Sequence, residues 1–388
     1  MDVVMKREYK KLILSGFIGS LCMERGIFIL LLAYKGLSVS QIAFWQATLN
    51  VGMFLAEVPT GFMADIFGKK KSLIAGRILY IVYYYLLITS NQYSTLIVSA
   101  LVFGIGSTFI SGTMESFLYD ILLDKNSKET CNTGDYLGKF SAIIIIGTGI
   151  SMAIGGEVQK LSWEVLLAIC LGLQLLSIFF IYSIKIQETQ NSSRVETLNN
   201  YKKILKNELT QKKIVIFVIA LGINIGIVSA LYIFAQEGLS NFGVSISKIS
   251  MFFAVESIGS FLLLYNLDKF ENSLKNDKSM IIISLISCVF FGLLFIHNKY
   301  VFMAVILLIM FSNQFFAIIM FDKLNLMVDE KVRTTIVSVF NSVSSLIMAF
   351  IFYVISKIST QYMLFFSIVG ILSYILMILY ILNYTEKN

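Results

Sequence analysis

Apolar residues run in blocks of about twenty along the 388-residue chain, and each block ends at a short polar or charged stretch. At 1.5 Å per residue such a block crosses a hydrocarbon core ~30 Å thick, and over so long a continuous run a helix is what satisfies the backbone there. Twelve blocks can be read. Six lie near residues 11–34, 40–62, 72–90, 94–120, 135–158 and 162–184, and six more near 213–237, 246–267, 279–297, 299–321, 332–356 and 360–383. The pattern predicts an all-α membrane protein of twelve transmembrane helices in two six-helix halves, 1–184 and 213–388. The intervening 185–212 is polar and carries Leu198, Tyr201, Leu205 and Leu209 at helical spacing. It reads either as an amphipathic helix on the membrane surface or as a solvated cytoplasmic linker.

Composition agrees with that pattern. Hydrophobic residues make up 57% of the chain and charged ones 14%, against about 25% charged in an average soluble domain. Of the 31 Lys and Arg, 25 fall on the side that holds both termini and five on the other, the last being Arg25 within the first block. That bias predicts cytoplasmic termini. The net charge of +7 therefore reports topology and contact with anionic lipid, and gives no reason to expect a nucleic-acid partner. Glu24 and Arg25 interrupt the first apolar run, which marks it as a first transmembrane helix and not a signal peptide. Cys22, Cys131, Cys170 and Cys288 have no metal-binding spacing, and His297 lies near an outer helix end. No phosphate-binding loop and no clustered His, Cys or Asp constellation points to an enzyme or to direct nucleotide drive.

The only proline, Pro59, follows Glu57 near the inner end of the second block, and Gly61 to Lys71 then make a short turn into the third. Pro59 removes a backbone donor and bends the helix locally. Asp65, near a helix C-terminus, is disfavoured by that helix's dipole and should seek a positive partner. The run Gly61-Phe-Met-Ala-Asp65-Ile-Phe-Gly68-Lys69-Lys70-Lys71 resembles the Gly-x-x-x-Asp-Arg-x-Gly-Arg-Lys signature of the major facilitator superfamily, with Ile66 in place of the first arginine. The resemblance implies that Asp65 latches onto the N-terminus of the eleventh helix, here Lys331 to Thr335, and that Asp120 partners Lys69. The repeat of this motif between the eighth and ninth helices keeps only Asp268 and Lys269. Gly147 to Gly156 resembles the fifth-helix pattern of drug/proton antiporters, with Ser151 and Met152 standing where Gly-Pro would be. Gly147, Ser151 and Gly155 at spacing four also read as a small-residue face for close helix packing.

Charged residues inside the blocks are the candidates for coupling, since an ionised group at the bilayer centre costs at least ~2.5 kcal/mol and faces a cavity or a partner. They are Glu24, Arg25, Glu57, Glu115 and Glu256. Adjacent helical residues point about 100° apart, so Arg25 is expected to pair with Glu57 or Glu115 of a neighbouring helix, not with the partner of Glu24. Gln46, Asn50, Asn224, Asn313 and Gln314 fall on helices that, by the resemblance, line the cavity. The family reading implies a monomeric secondary transporter in the cell membrane with no cofactor, driven by the proton gradient. It would work by alternating access and export an amphipathic or cationic small molecule. A proton-coupled importer of the same fold is the alternative.

Overall fold

A computed structural model describes residues 3–122, 133–185, 210–265, 276–328, 333–358 and 361–384. Among these the chain is entirely helical: α1 (Val3–Ser20), α2 (Phe28–Tyr34), α3 (Val39–Phe67), α4 (Lys69–Thr89), α5 (Tyr93–Ile110), α6 (Thr113–Leu122), α7 (Thr133–Val158) and α8 (Trp163–Tyr182) come first. They are followed by α9 (Lys212–Asn241), α10 (Ile246–Tyr265), α11 (Asp277–Leu293), α12 (Lys299–Met327), α13 (Arg333–Ile358) and α14 (Tyr362–Tyr384). Ten stretches are long and apolar enough to cross a membrane; two of these, Arg7–Tyr34 and Tyr93–Leu122, each contain two helices. With α3 and α11 they make twelve spans.

Two expected spans are therefore interrupted. The first is helical only to Ser20 and resumes through a short 3-10 turn, Arg25–Ile27, before α2. The fourth breaks between Ile110 and Thr113, where Gly112 takes φ +70°. Polar residues stand at both places, Glu24 and Arg25 in the first span and Ser111 to Thr113 in the fourth, but the pattern of apolar blocks does not tell a polar position within a helix from a break in it. A further correction concerns Gly61, which is helical: α3 continues through Pro59 to Phe67, and the reversal is confined to Gly68 at φ +97°, a conformation that suits glycine. At Pro59 the next residue helps, since the Thr60 hydroxyl donates to the carbonyls of Ala56 (2.9 Å) and Glu57 (3.3 Å).

The chain divides into two compact units. The first comprises Met1–Leu37, Thr48–Asn191 and Val244–Phe261, so most of α10 clusters with the spans of the N-terminal half. In it α4 packs on α5 and α8, and α1 packs on α6, α7 and α8. Leu12, Leu73, Phe117, Leu118, Ile121 and Phe140 form a buried cluster in it. The second comprises Ser38–Ala47, Ser192–Gly243 and Leu262–Asn388, with α9 packed on α12, α13 and α14.

Helices in lipid gain little from apolar burial against one another, so small residues that let backbones approach set the packing. Gly104 of α5 is one: a Cβ there would come within 2.3 Å of the Leu49 carbonyl oxygen. Gly155 of α7 is another, 2.1 Å by the same measure from the carbonyl oxygen of Met23. Gly156, one position on, turns to α10, where Ser247 and Ser250 lie against it. Serines continue that contact, with Ser250 donating to the Met152 carbonyl (2.5 Å), Ser257 to the Ile145 carbonyl (3.3 Å) and Ser247 to Glu157.

Candidate functional site

The interruption of the first span arises where Gly19, Ser20 and Gly26 surround the polar pair Glu24–Arg25, a weak helix former in total. Unwound backbone inside a membrane persists only where its polar groups are met by protein or water. Here protein meets them. Arg77 of α4 donates from Nη1 to the Gly19 carbonyl (2.8 Å), Ser20 donates to the Phe17 carbonyl (2.7 Å), and Ser151 of α7 donates to the Cys22 carbonyl (3.4 Å). The face formed by Gly147, Ser151 and Gly155 thus clasps the break, with Gly147 against Ser20 and Phe17.

Glu24 sits within the break and is 3% exposed. Its two oxygens accept from different neighbours, Oε1 from the Tyr84 hydroxyl of α4 (2.9 Å) and Oε2 from the Cys170 thiol of α8 (3.4 Å). Among the described residues no cation stands within ion-pair distance of it. Arg25 points elsewhere: it is exposed, and its charge acts on both Glu24 and Glu256. Glu256 of α10 is half-buried and accepts from Ser260 (2.9 Å). Glu57 is half-buried in α3.

Glu115 lies in the first turn of α6, where a helix N-terminus favours a carboxylate, directly after the break of the fourth span. The α6 face that carries Met114, Phe117, Leu118 and Ile121 is buried, while Glu115, Ser116 and Tyr119 are exposed. Glu115 makes no ion pair among the described residues, so the expected pairing of Arg25 with it is not formed. An exposed carboxylate at that depth needs water, not lipid, beside it.

At the end of the same unit where α3 turns into α4, Lys69 Nζ donates to Asp120 Oδ2 (2.6 Å) and to the Ser116 carbonyl (3.2 Å). Lys70 caps α8 through the carbonyls of Tyr182 (2.8 Å) and Ile184 (2.7 Å). The side chain of Asp65 and the side chains from Lys331 to Thr335 lie outside the described residues, as do Asp268, Lys269 and Cys131. Gly61 is exposed, and a Cβ on it would meet nothing within 4 Å. Gly61→Ala is therefore expected to leave thermal stability within ~0.5 kcal/mol. Unfolding followed in detergent checks this, and a large loss would mean that the residue is packed.

The amides divide by environment. Gln46 and Asn50 of α3 are buried. Asn224 of α9, fully buried, donates to Ser373 of α14 (3.2 Å) and leaves its Oδ1 without a partner. Asn313 of α12 accepts from the Tyr374 hydroxyl (3.3 Å), and Gln314 is half-buried without a hydrogen bond among the described residues. Asn224 and Asn313 thus face the α14 side of their helices, which puts them in the packing of the second unit. Two charges inside spans were missed from the sequence. Arg77, one of the 25 Lys and Arg that the charge bias assigns to the side of the termini, is 3% exposed. It stands eight residues past Lys69, roughly 12 Å along the helix, with Ile78 and Leu79 after it, and that depth was the available signal. Glu237, near the C-terminal end of α9, is reached by Tyr362 and Asn241. Outside the spans, Lys35 donates to Asn91 Oδ1 (2.9 Å) and the Ser90 carbonyl (3.2 Å); burial pushes its ammonium below the ordinary lysine range, opposed by Glu164.

A sequence model described as the Major Facilitator Superfamily matches residues 13–352. The chain belongs to that superfamily. As a major facilitator protein it is a multi-pass membrane protein. It is 25% identical over 263 residues to the uncharacterized MFS-type transporter MJ1560 of Methanocaldococcus jannaschii, covering 65% of this chain and 64% of that one. It is 23% identical over 262 residues to the uncharacterized MFS-type transporter YxaM of Bacillus subtilis, covering 67% and 65%. The matches thus span a little under two thirds of each relative's length. Solved structures of similar fold include the nucleoside transporter NupG, with TM-score 0.75 at 13% identity over 99% of this chain and 100% of that one. A D-xylose-proton symporter superposes with TM-score 0.73 at 14% identity, covering 97% and 96%. A bacterial homolog of the human lysosomal transporter Spinster gives 0.76 at 12%, covering 100% and 98%. At these identities the likeness shows the fold that the facilitator family shares.

Proposed function

We propose that this facilitator is a proton-coupled exporter of amphipathic or cationic small molecules, with Glu24 as the carboxyl that carries the coupled proton. The observation that carries the reading is the placement of Glu24: a buried carboxyl in the unwound part of a span, held by two neutral donors and, among the described residues, by no cation in ion-pair range. Discontinuous spans are where secondary transporters build their coupling sites. Taking up a proton removes a charge from the interior, and releasing it restores one, so proton occupancy and the geometry of the break are linked. Glu115 and Glu256 supply the negative charge that would attract a cation. Gly61, Asp65, Gly68, Lys69 and Asp120 form the inner latch in this reading, both termini are cytoplasmic, and the halves 1–184 and 213–388 of a monomer alternate access.

An importer is the second reading, favoured by the fold shared with a protein described as a D-xylose-proton symporter. Proteoliposomes loaded at acidic pH separate the two. Lumenal pH is followed with a trapped dye while lipophilic cations, nucleosides and sugars are added, in wild type and in Glu24→Gln, Glu115→Gln and Glu256→Gln. Substrate-driven proton release that only Glu24→Gln abolishes supports antiport through Glu24. Proton and substrate moving together would replace export by symport, and proton release that survives Glu24→Gln would remove Glu24 from the mechanism.

A further inference from the structure

Arg77 and Tyr84 are seven residues apart on α4, two turns and roughly 10.5 Å along one helix face. Gln174 and Cys170 are four apart on α8 and likewise share a face. Both faces turn to the interrupted first span. At one end Arg77 Nη1 donates to the Gly19 carbonyl (2.8 Å) and to Gln174 Oε1 (2.9 Å), while Gln174 itself donates to the same carbonyl (3.4 Å). At the other end Tyr84 and Cys170 hold Glu24. The guanidinium is buried, its carbon 5.9 Å from the centre of the Tyr80 ring, and its Nε has no partner. Gly19 is what admits it, since a Cβ there would come within 2.2 Å of the guanidinium carbon.

We propose that Arg77 is a positioning residue that ties the unwound first span to α4 and α8, so that the carbonyl end and the Glu24 end of the break move as one. A guanidinium suits this task because it can donate to two acceptors in one plane, where an ammonium is a point charge. With no carboxylate in ion-pair range among the described residues, its retention in the interior points to the backbone it holds. The proposal rests on the reading of Glu24 as the proton carrier. The charged and titratable groups around that carboxyl are Tyr80, Tyr83 and Tyr84 from α4, Cys170 from α8, and Cys22 and Arg25 from the first span itself, with Arg77 beyond.

Hydrogen–deuterium exchange needs no substrate and reads the break directly. The full-length protein in nanodiscs is followed at pD 5.5 and 8.5, with rates corrected for intrinsic exchange, over peptides covering residues 17–28. In wild type the protection of this segment is expected to differ between the two conditions, and Glu24→Gln is expected to abolish the difference. Arg77→Lys should raise exchange about fivefold, as expected for loss of one buried hydrogen bond, and flatten the pD difference while peptides of α9 and α14 stay unchanged. Gln174→Leu, which leaves the charge in place, should raise exchange less and keep the difference.

If Arg77→Lys raises exchange equally at both pD values and leaves the difference intact, Arg77 is a structural clamp only and the proposal is overturned. Wild-type rates in Arg77→Lys overturn it as well. A wild-type segment with no pD dependence instead overturns the reading of Glu24 on which it rests, and the fivefold effect then still reports whether Arg77 holds the break.

Discussion

Glu24→Gln is expected to lower proton-driven accumulation of substrate by roughly 100-fold, the upper end of typical coupling between two sites, while exchange of substrate without a pH gradient continues. Glutamine keeps the size of the carboxyl. Its amide oxygen can accept one of the two hydrogen bonds now made by Tyr84 and Cys170, at 2.9 and 3.4 Å, so the fold should survive. What it loses is the ability to gain and lose a proton. The comparison of driven uptake with exchange checks this, and equal losses in both would mean that Glu24 serves structure or binding and not coupling. Glu115→Gln makes the contrast, because that carboxylate is exposed on the polar face of α6 and its replacement should alter cation affinity more than coupling.

The second large effect is steric. Gly155→Val is expected to cost about 3 kcal/mol or more, the upper range for forcing a side chain into packed structure. A Cβ at position 155 would lie 2.1 Å from the Met23 carbonyl oxygen, and the obstacle is main chain, which cannot swing aside as the end of a long side chain can. Relief would require α7 to move away from the break, taking with it the Ser151 contact to the Cys22 carbonyl. Size-exclusion of detergent-solubilised protein with a thermal ramp measures it. A melting temperature near that of wild type would show that the approach of α7 to Met23 is looser than described. Gly61→Ala is the matched control, a motif glycine with open space around it.

The spans were legible from the sequence because lipid imposes one rule on long stretches: the backbone must be satisfied within the helix. What lies within a span was not. Glu24 and Arg25 interrupt the apolar run, but nothing local shows that the helix itself unwinds there, and the donors that stabilise the break arrive from Arg77 and Gln174 far along the chain. Arg77 was misplaced for a related reason, since a positive charge near a basic turn reads as cytoplasmic until its depth along α4 is counted. Among the site residues, Glu24 could be named from its depth alone, but the identity of its neighbours could not, as tyrosine and cysteine are ordinary residues of apolar helices. Asn224 and Asn313 were expected at a cavity on the strength of helix position. Their hydrogen bonds to α14 show that a polar residue on such a helix can as well serve its packing.

The only proline of the chain lies within α3, and the interruption in the first span contains none. A bend at proline is permanent, because the missing N–H can never complete the helical ladder. Between Ser20 and Arg25 every amide hydrogen is present, so rewinding there needs no change of covalent structure. Rewinding the first span there would require the donors that grip its carbonyls, Arg77, Gln174 and Ser151, to let go.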